Sequence, residues 1–325
     1  MICKEVNYKL AIDEWSALID GGTLSSEKTK TAKMHLAGLK AEKNMAYYLK
    51  ARFAGTPELL VFNNLKFEHL DRTAQIDHLV LSRWSAYFIE TKSVSAKINI
   101  NANLQWSRTY RKGKYDNFES PLEQSRRHEP CLFDLLESRL PDFMGKIVGM
   151  QKTFCNTIDV QHLIAVSVGA TIQGKGQKDV SDHLRPLDQI PQLIADNHQA
   201  VRSSLLGSAI AEMRDAKTRK HDPAFSKKEL DACRRLLLDV DISQSPLEFV
   251  HEFIESLPER PADKSSQSQI PNTKSQIGDP KSVAPRCPKC DSEMVLRTAK
   301  RGDRKGKQFY GCSRYPKCRE MINVD

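Results

Sequence analysis

The sequence predicts an α/β fold, a mixed sheet flanked by helices, joined through a polar tether to a small C-terminal module. Three observations predict it. Two apolar, β-branched runs, 75–81 and 87–92, are separated only by a short turn around Arg83-Trp84-Ser85, which suits a hairpin. A third apolar run, 161–168, reads as a buried strand, and the segments after it carry helical periodicity. Four of the eight cysteines gather in two close pairs near the end of the chain.

Taken in order, residues 1–37 read as a helical extension, and an amphipathic segment opens at Ala41-Glu42-Lys43-Asn44. The hairpin runs follow. Arg108, Arg111, Lys112 and Lys114 around Trp106 and Tyr110 suggest either a basic hairpin or a solvated face. Pro121-Leu122-Glu123-Gln124 reads as a helix start, since proline fits the first helical turn. The run 161–168 completes the sheet, and 169–176 reads as the loop after it. Gly174-Lys175-Gly176 lacks the full phosphate-loop pattern and reads as a turn. Helices are expected at 187–203, 227–238 and 245–257, with Ser226 and Ser245 as caps. Residues 258–285 are rich in Ser, Gln, Pro, Lys and Asp, with Ile270 and Ile277 almost their only large apolar side chains; they read as a flexible tether.

The chemistry concentrates in the hairpin. Side chains alternate along a strand, so Glu90 and Lys92 share a face, and Asp77 on the neighbouring strand can meet it. Two carboxylates beside an ammonium can hold a divalent cation, activate a water and neutralise charge on a phosphate. The same trio could form an ordinary cross-strand ion pair on a solvated face. Val80, Leu81, Phe88 and Ile89 make both strands read as buried, which favours the site, because charges are rarely buried without a partner or a task. His78 alternates to the opposite face from Asp77 and reads as a packed or capping histidine.

Asp77, the twelve-residue gap and Glu90-Thr91-Lys92 resemble the core of the PD-(D/E)xK nucleases, and the wording around them is similar to the nuclease-related (NERD) domain. That resemblance implies a restriction-endonuclease-like fold over 38–135, completed by 136–257. It implies that Asp77 and Glu90 hold Mg²⁺ or Mn²⁺ and that Lys92 orients or polarises the attacking water. Glu42 and Gln124 would support the site as further catalytic residues. Glu42 matches the family's helical acidic residue, although Ala41 stands where the family usually has glycine.

At the other end, Cys287-Pro-Lys-Cys290 and Cys312 to Cys318 are separated by twenty-one residues. Two close thiolate pairs suit tetrahedral Zn²⁺. The remaining cysteines, Cys3, Cys131, Cys155 and Cys233, are scattered and no apolar signal segment opens the sequence, which argues against a disulfide framework. A module of this length buries little core, so the metal is expected to supply much of its folding free energy. Gln308-Phe309-Tyr310-Gly311-Cys312 and Tyr315-Pro316-Lys317-Cys318 resemble the zinc ribbon at the C-terminus of bacterial type IA topoisomerases, a binder of single-stranded DNA. Residues 286–325 hold eleven Lys or Arg against five Asp or Glu. Arg297, Lys307, Phe309, Tyr310, Tyr315 and Lys317 are the residues expected to contact nucleic acid, cations on phosphates and rings on bases.

The net charge of +9 and pI near 9.1 favour a polyanionic partner. No run of about eighteen apolar residues exists, so no membrane span is expected, and the cysteine usage suggests a reducing, cytoplasmic setting. The sequence therefore points to a metal-dependent nuclease with DNA as the expected target. A non-catalytic nucleic-acid binder and an RNA-directed nuclease are the alternatives. Oligomeric state is not legible.

Overall fold

The computed structural model describes residues 1–93, 97–109, 115–174, 176–211, 223–257, 286–298, 308–314 and 317–323. The chain divides into two compact units, Met1–Glu259 and Arg260–Asp325.

The first unit opens with β1 (Ile2–Lys4), α1 (Tyr8–Asp20) and α2 (Ser26–Phe53). Three long strands follow, β2 (Leu60–His69), β3 (Arg72–Leu81) and β4 (Ser85–Lys92), and then the shorter β5 (Lys97–Ile100), β6 (Trp106–Thr109) and β7 (Tyr115–Phe118). Next come α3 (Pro121–Ser138), α4 (Leu140–Phe143), β8 (Lys146–Ile147), β9 (Met150–Gln151), β10 (Asp159–Val166), β11 (Thr171–Gln173), α5 (Gln177–Val180) and β12 (Leu184–Pro186). The unit closes with α6 (Ile190–Ala211), α7 (Lys227–Asp239) and α8 (Pro246–Glu255).

The main sheet runs β1-β2-β3-β4-β10-β12. Its centre, β2-β3-β4, is antiparallel, whereas β1, β10 and β12 join in parallel. This is the mixed sheet flanked by helices that the sequence predicts. The hairpin between β3 and β4 turns through Ser82, Arg83 and Trp84, and the Ser82 N–H donates to the Ser85 carbonyl at 2.8 Å. A smaller sheet, β11-β5-β6-β7, sits in the same unit.

Helices cover both faces of the main sheet because both faces are apolar. Met45, Leu49 and Phe53 recur every four residues on α2, forming one stripe that packs on Val61, Val80, Tyr87 and Ile89 together with Ile190 and Ile194 of α6. The other face carries Phe62, Leu79 and Phe88, covered by Leu132, Leu135 and Leu136 of α3 and Leu236 and Leu237 of α7. Each such side chain contributes about 1.5–3 kcal/mol when fully buried. At the N-terminal end, Trp15 of α1 is completely buried against α2 and α8, with its ring 4.8 Å from that of Phe253. Helix α2 crosses position 37 without a break, so the helical extension and the core share one element.

Two local expectations are corrected. Residues 169–176 are not only a loop, because after the left-handed Gly169 the chain forms β11 and pairs in parallel with β5. Gly174, at φ +113, has no room for a side chain, since a Cβ there would lie 2.1 Å from the Ile100 carbonyl oxygen; the local chain is a turn pressed against β5. Helix α6 begins at Ile190, after β12, and extends to Ala211 rather than spanning 187–203. Ser226 and Ser245 do cap α7 and α8, each in a reciprocal capping box with Glu229 or Glu248. The expected tether, 258–285, lies outside the described residues.

The second unit is a three-stranded antiparallel sheet of β13 (Met294–Thr298), β14 (Gln308–Cys312) and β15 (Met321–Asn323). Its described core is small, consisting of Met294 and the cysteines with Tyr310 and Ile322 against them.

Candidate metal centres

The first centre begins with an interruption in the strand alternation. On β2, Leu60 and Phe62 face the same core as Leu65 and Phe67; on β3, Ala74 and Ile76 face it together with Leu79 and Leu81. A strict period of two would place the members of each set on opposite faces. The phase slips by one residue where Asn64 takes a left-handed φ of +53, between the Asn63–His78 and Leu65–Ile76 pairs. Asparagine tolerates that conformation better than most residues. Asp77 lies across from Asn64, and the β3–β4 ladder ends at His78–Ile89, so Asp77 stands just beyond it.

There, the Asp77 carboxylate accepts the Thr91 N–H at 2.8 Å, which ties β3 to β4 where the ladder has stopped. Glu90 is 3 % exposed. Its carboxylate pairs with Lys92 Nζ at 2.6 Å, two residues along the same strand. Lys92 also donates to Gln124 Oε1 at 3.1 Å. Gln124 stands in the first turn of α3, placed by the Ser120 cap and Pro121. Glu42, half-buried on α2, completes the group, because Asp77, Glu90 and Lys92 are the charges that act on it.

The electrostatics are those of crowded acids. Desolvation, and then the Asp77 and Glu90 carboxylates, push Glu42 well above the usual carboxylate range, with Lys92 opposing them. Desolvation and Asp77 raise Glu90 to about 8 against the pull of Lys92. Burial raises Asp77 too, partly offset by the Thr91 N–H. Three carboxyls with one nearby ammonium have unmet demand for positive charge, and an all-oxygen donor set suits a hard cation such as Mg²⁺ or Mn²⁺. The group is open: among the described residues, only the four C-terminal cysteines bring all their ligand atoms within 4.8 Å of one another.

His78 is fully buried, with Nδ1 2.7 Å from Asn63 Oδ1, and burial holds it down at about 3. It stays neutral and apart from solvent. Tyr8, at the start of α1, escaped the sequence analysis. Its hydroxyl is buried without a hydrogen-bond partner, and Glu42 and Asp77 add to the desolvation that pushes its pKa up and keeps it protonated. A tyrosine at a helix start carries no local signal of a site; only the packing of α1 on α2 brings it there. Strands β6 and β7 do form a hairpin, in which the Arg108 guanidinium lies 4.5 Å from the Phe118 ring centroid. Tyr110, Arg111, Lys112 and Lys114 lie outside the described residues.

The second centre is closed. Cys287 and Cys290 precede β13, Cys312 ends β14, and Cys318 lies before β15. The Cys287–Cys318 sulfurs are 3.8 Å apart and the Cys290–Cys312 sulfurs 3.4 Å. A tetrahedron with Zn–S bonds of about 2.3 Å has edges of about 3.8 Å, so four thiolates here fit Zn²⁺. Hydrogen bonds from the Ser292 side chain and backbone pull the Cys290 thiol down to about 6, toward the thiolate that binds metal. Arg297 and Phe309 are register partners on β13 and β14, with Arg297 exposed. Tyr310 turns to the other side, against the cysteines. Lys317 is exposed, whereas Lys307 and Tyr315 lie outside the described residues.

Residues 37–164 match the family model of the nuclease-related domain. The chain carries a nuclease-related domain. Residues 285–325 match the model of the topoisomerase DNA binding C4 zinc finger. No curated protein and no solved structure matches the chain. The nuclease-related match covers α2 from residue 37, the β3–β4 hairpin, α3 and most of β10, and so includes Glu42, Asp77, Glu90, Lys92 and Gln124. Tyr8 and α7–α8 lie outside it. The zinc ribbon match includes all four cysteines. The two domains together make this a nuclease-like, nucleic-acid-binding protein with a zinc site at its C-terminal end. No described helix is long and apolar enough to cross a membrane.

Proposed function

We infer that the protein is a Mg²⁺-dependent nuclease that hydrolyses phosphodiester bonds in DNA, with the ribbon holding single-stranded DNA. The observation that carries this reading is the Glu90–Lys92 pair at 2.6 Å, with Asp77 and Glu42 near enough to add their charge, where burial and repulsion leave the acids short of positive charge. Asp77 and Glu90 would hold the metal, with Glu42 supporting it from α2. Mg²⁺, when bound, supplies Lewis-acid polarisation of a phosphoryl oxygen and of an attacking water. Asp77 is held in place by the Thr91 N–H, and Lys92 by Glu90 and Gln124, so neither group must reorganise during reaction. The Lys92 ammonium is a compact charge suited to orienting a water and offsetting the negative charge that develops on the phosphate. In the ribbon, exposed Arg297 and Lys317 would follow the phosphates and Phe309 would stack on a base.

The test is cleavage of plasmid and single-stranded DNA by purified protein. Cutting should require Mg²⁺ or Mn²⁺ and should fall at least about 100-fold in Asp77→Ala and in Lys92→Ala, the scale on which removing one preorganised electrostatic group acts. Metal-independent cutting, or cutting that survives both substitutions, would overturn the reading. Equal competition by RNA would move the substrate from DNA to nucleic acid generally.

A further inference from the structure

A cavity of about 350 Å³ lies beside the carboxylate group and shares Glu42 with it. Helix α2 forms one wall, the β2–β3 ladder the floor and the start of α8 the other wall. Its volume falls in the lower range of small-molecule sites, which run from about 300 to 1,000 Å³. Its lining has two characters. Met34 and Phe249 are apolar yet 54 % and 42 % exposed. Phe249 is held edge-on to His35 at 4.9 Å, and His35 is stacked in turn on the buried Trp15, which makes a braced aromatic platform. Facing it are amides and one cation, Gln75, Gln244 and Lys66. Gln75 donates to the Asn64 side chain, which ties this floor to the left-handed residue opposite Asp77. Lys66 lines the cavity from β2 and has no carboxylate partner among the described residues. Part of this lining, Ser243 to Phe249, lies outside the nuclease-related match.

We propose that this cavity is a nucleotide subsite, which receives one unpaired nucleotide of the substrate strand next to the phosphate held at Asp77 and Glu90. The base lies against Phe249 and Met34, the Gln75 and Gln244 amides meet its polar edge, and Lys66 pairs with the following phosphate. Stacking on an aromatic face accepts any base, while the amides can add preference through hydrogen bonds. A duplex cannot enter, because its bases have their faces covered by stacking and their polar edges by pairing. This inference rests on the nuclease reading for the placement of the scissile phosphate, but its own test does not require cleavage.

The experiment uses the full chain and a single-stranded DNA carrying 5-iodouracil at successive positions, with Ca²⁺ in place of Mg²⁺, ultraviolet crosslinking and mass spectrometry of the joined peptides. The expected result is adducts in peptides containing Met34 and His35 or Phe249, with yield reduced about tenfold in Lys66→Glu and in Phe249→Ala. Adducts confined to the ribbon or to other faces of the domain, in a protein that still cuts DNA with Mg²⁺, would overturn the subsite and leave the nuclease reading intact. Adducts at the subsite without any Mg²⁺-dependent cutting would keep the subsite and sink the nuclease reading. Equal yield from a fully paired duplex probe would overturn the requirement for an unpaired nucleotide.

Discussion

The carboxylate group and the cysteine cluster of this chain are built in opposite ways. In the nuclease-related domain, helices cover both faces of a six-stranded sheet, and the carboxylates stand at the edge of a core that is complete without them. Among the described residues of the ribbon, three of the four cysteines and Met294 form the buried core, with Cys290, Tyr310 and Ile322 half-buried around them. The first set is open and rich in oxygen; the second is closed, with all its sulfurs within 4.8 Å. A structural site closes its ligands around the ion, while a site that does chemistry must leave room for water and substrate. The domain should therefore keep its fold in the absence of any metal, and the ribbon should not.

The largest effect that could break this comparison is zinc removal. A strong chelator, or Cys312→Ser, should abolish the sheet of β13, β14 and β15, since zinc binding in such modules is worth roughly 10–16 kcal/mol and is itself the folding free energy. The domain should keep its own thermal transition. Amide exchange resolved by peptide would show both outcomes, and a ribbon that stays protected without zinc would refute the assignment of its stability to the metal.

A smaller effect probes the core of the domain. Leu49 is fully buried between α2 and the sheet. Leu49→Ala should cost about 2–5 kcal/mol in denaturant unfolding, through lost burial and the cavity left behind. The ribbon transition should not move.

The smallest effect is also the sharpest, because it raises stability. Glu90 is held up at about 8 and Glu42 is also held high, so both acids are more easily ionised in the unfolded chain than in the folded one. Their contribution to stability is fully present below a pH of about 4.5, near the unfolded carboxylate value, and is lost as pH rises through the folded values. Without divalent metal, the domain should therefore weaken between about pH 4.5 and 8. Glu42→Gln removes one of these charges without removing a hydrogen bond seen in the structure. It should raise metal-free stability at pH 8 by roughly 1–3 kcal/mol and flatten that slope. Thermal melts of both proteins in chelator across this range would decide it, and a Glu42→Gln protein that is less stable at pH 8 would contradict the crowding. The same substitution should weaken Mg²⁺ binding, the exchange of stability for function common at active sites.

Much of this was legible in the residues. The β3–β4 hairpin follows from two β-branched runs and a three-residue turn, and the caps at Ser226 and Ser245 follow from side-chain chemistry that acts within four residues. The cysteine spacing implied zinc because only nearby thiolates are needed. Strand β11 was not legible, since its pairing with β5 joins residues far apart in sequence. Nor was the left-handed Asn64, whose strain is held by the surrounding sheet.

For the carboxylate site, the sequence by itself determined which chemistry could occur, because the identities of Asp77, Glu90 and Lys92 and their alternation on a strand are local properties. Tertiary structure alone decided how that chemistry is set. It brought Glu42 from the middle of α2 and Gln124 from the first turn of α3, buried the acids deeply enough to raise them, slipped the strand phase opposite Asp77, and packed α1 so that the Tyr8 hydroxyl faces the same charges. The physical reason is that desolvation and Coulomb coupling depend on what surrounds a group in space, and no local pattern of residues encodes that.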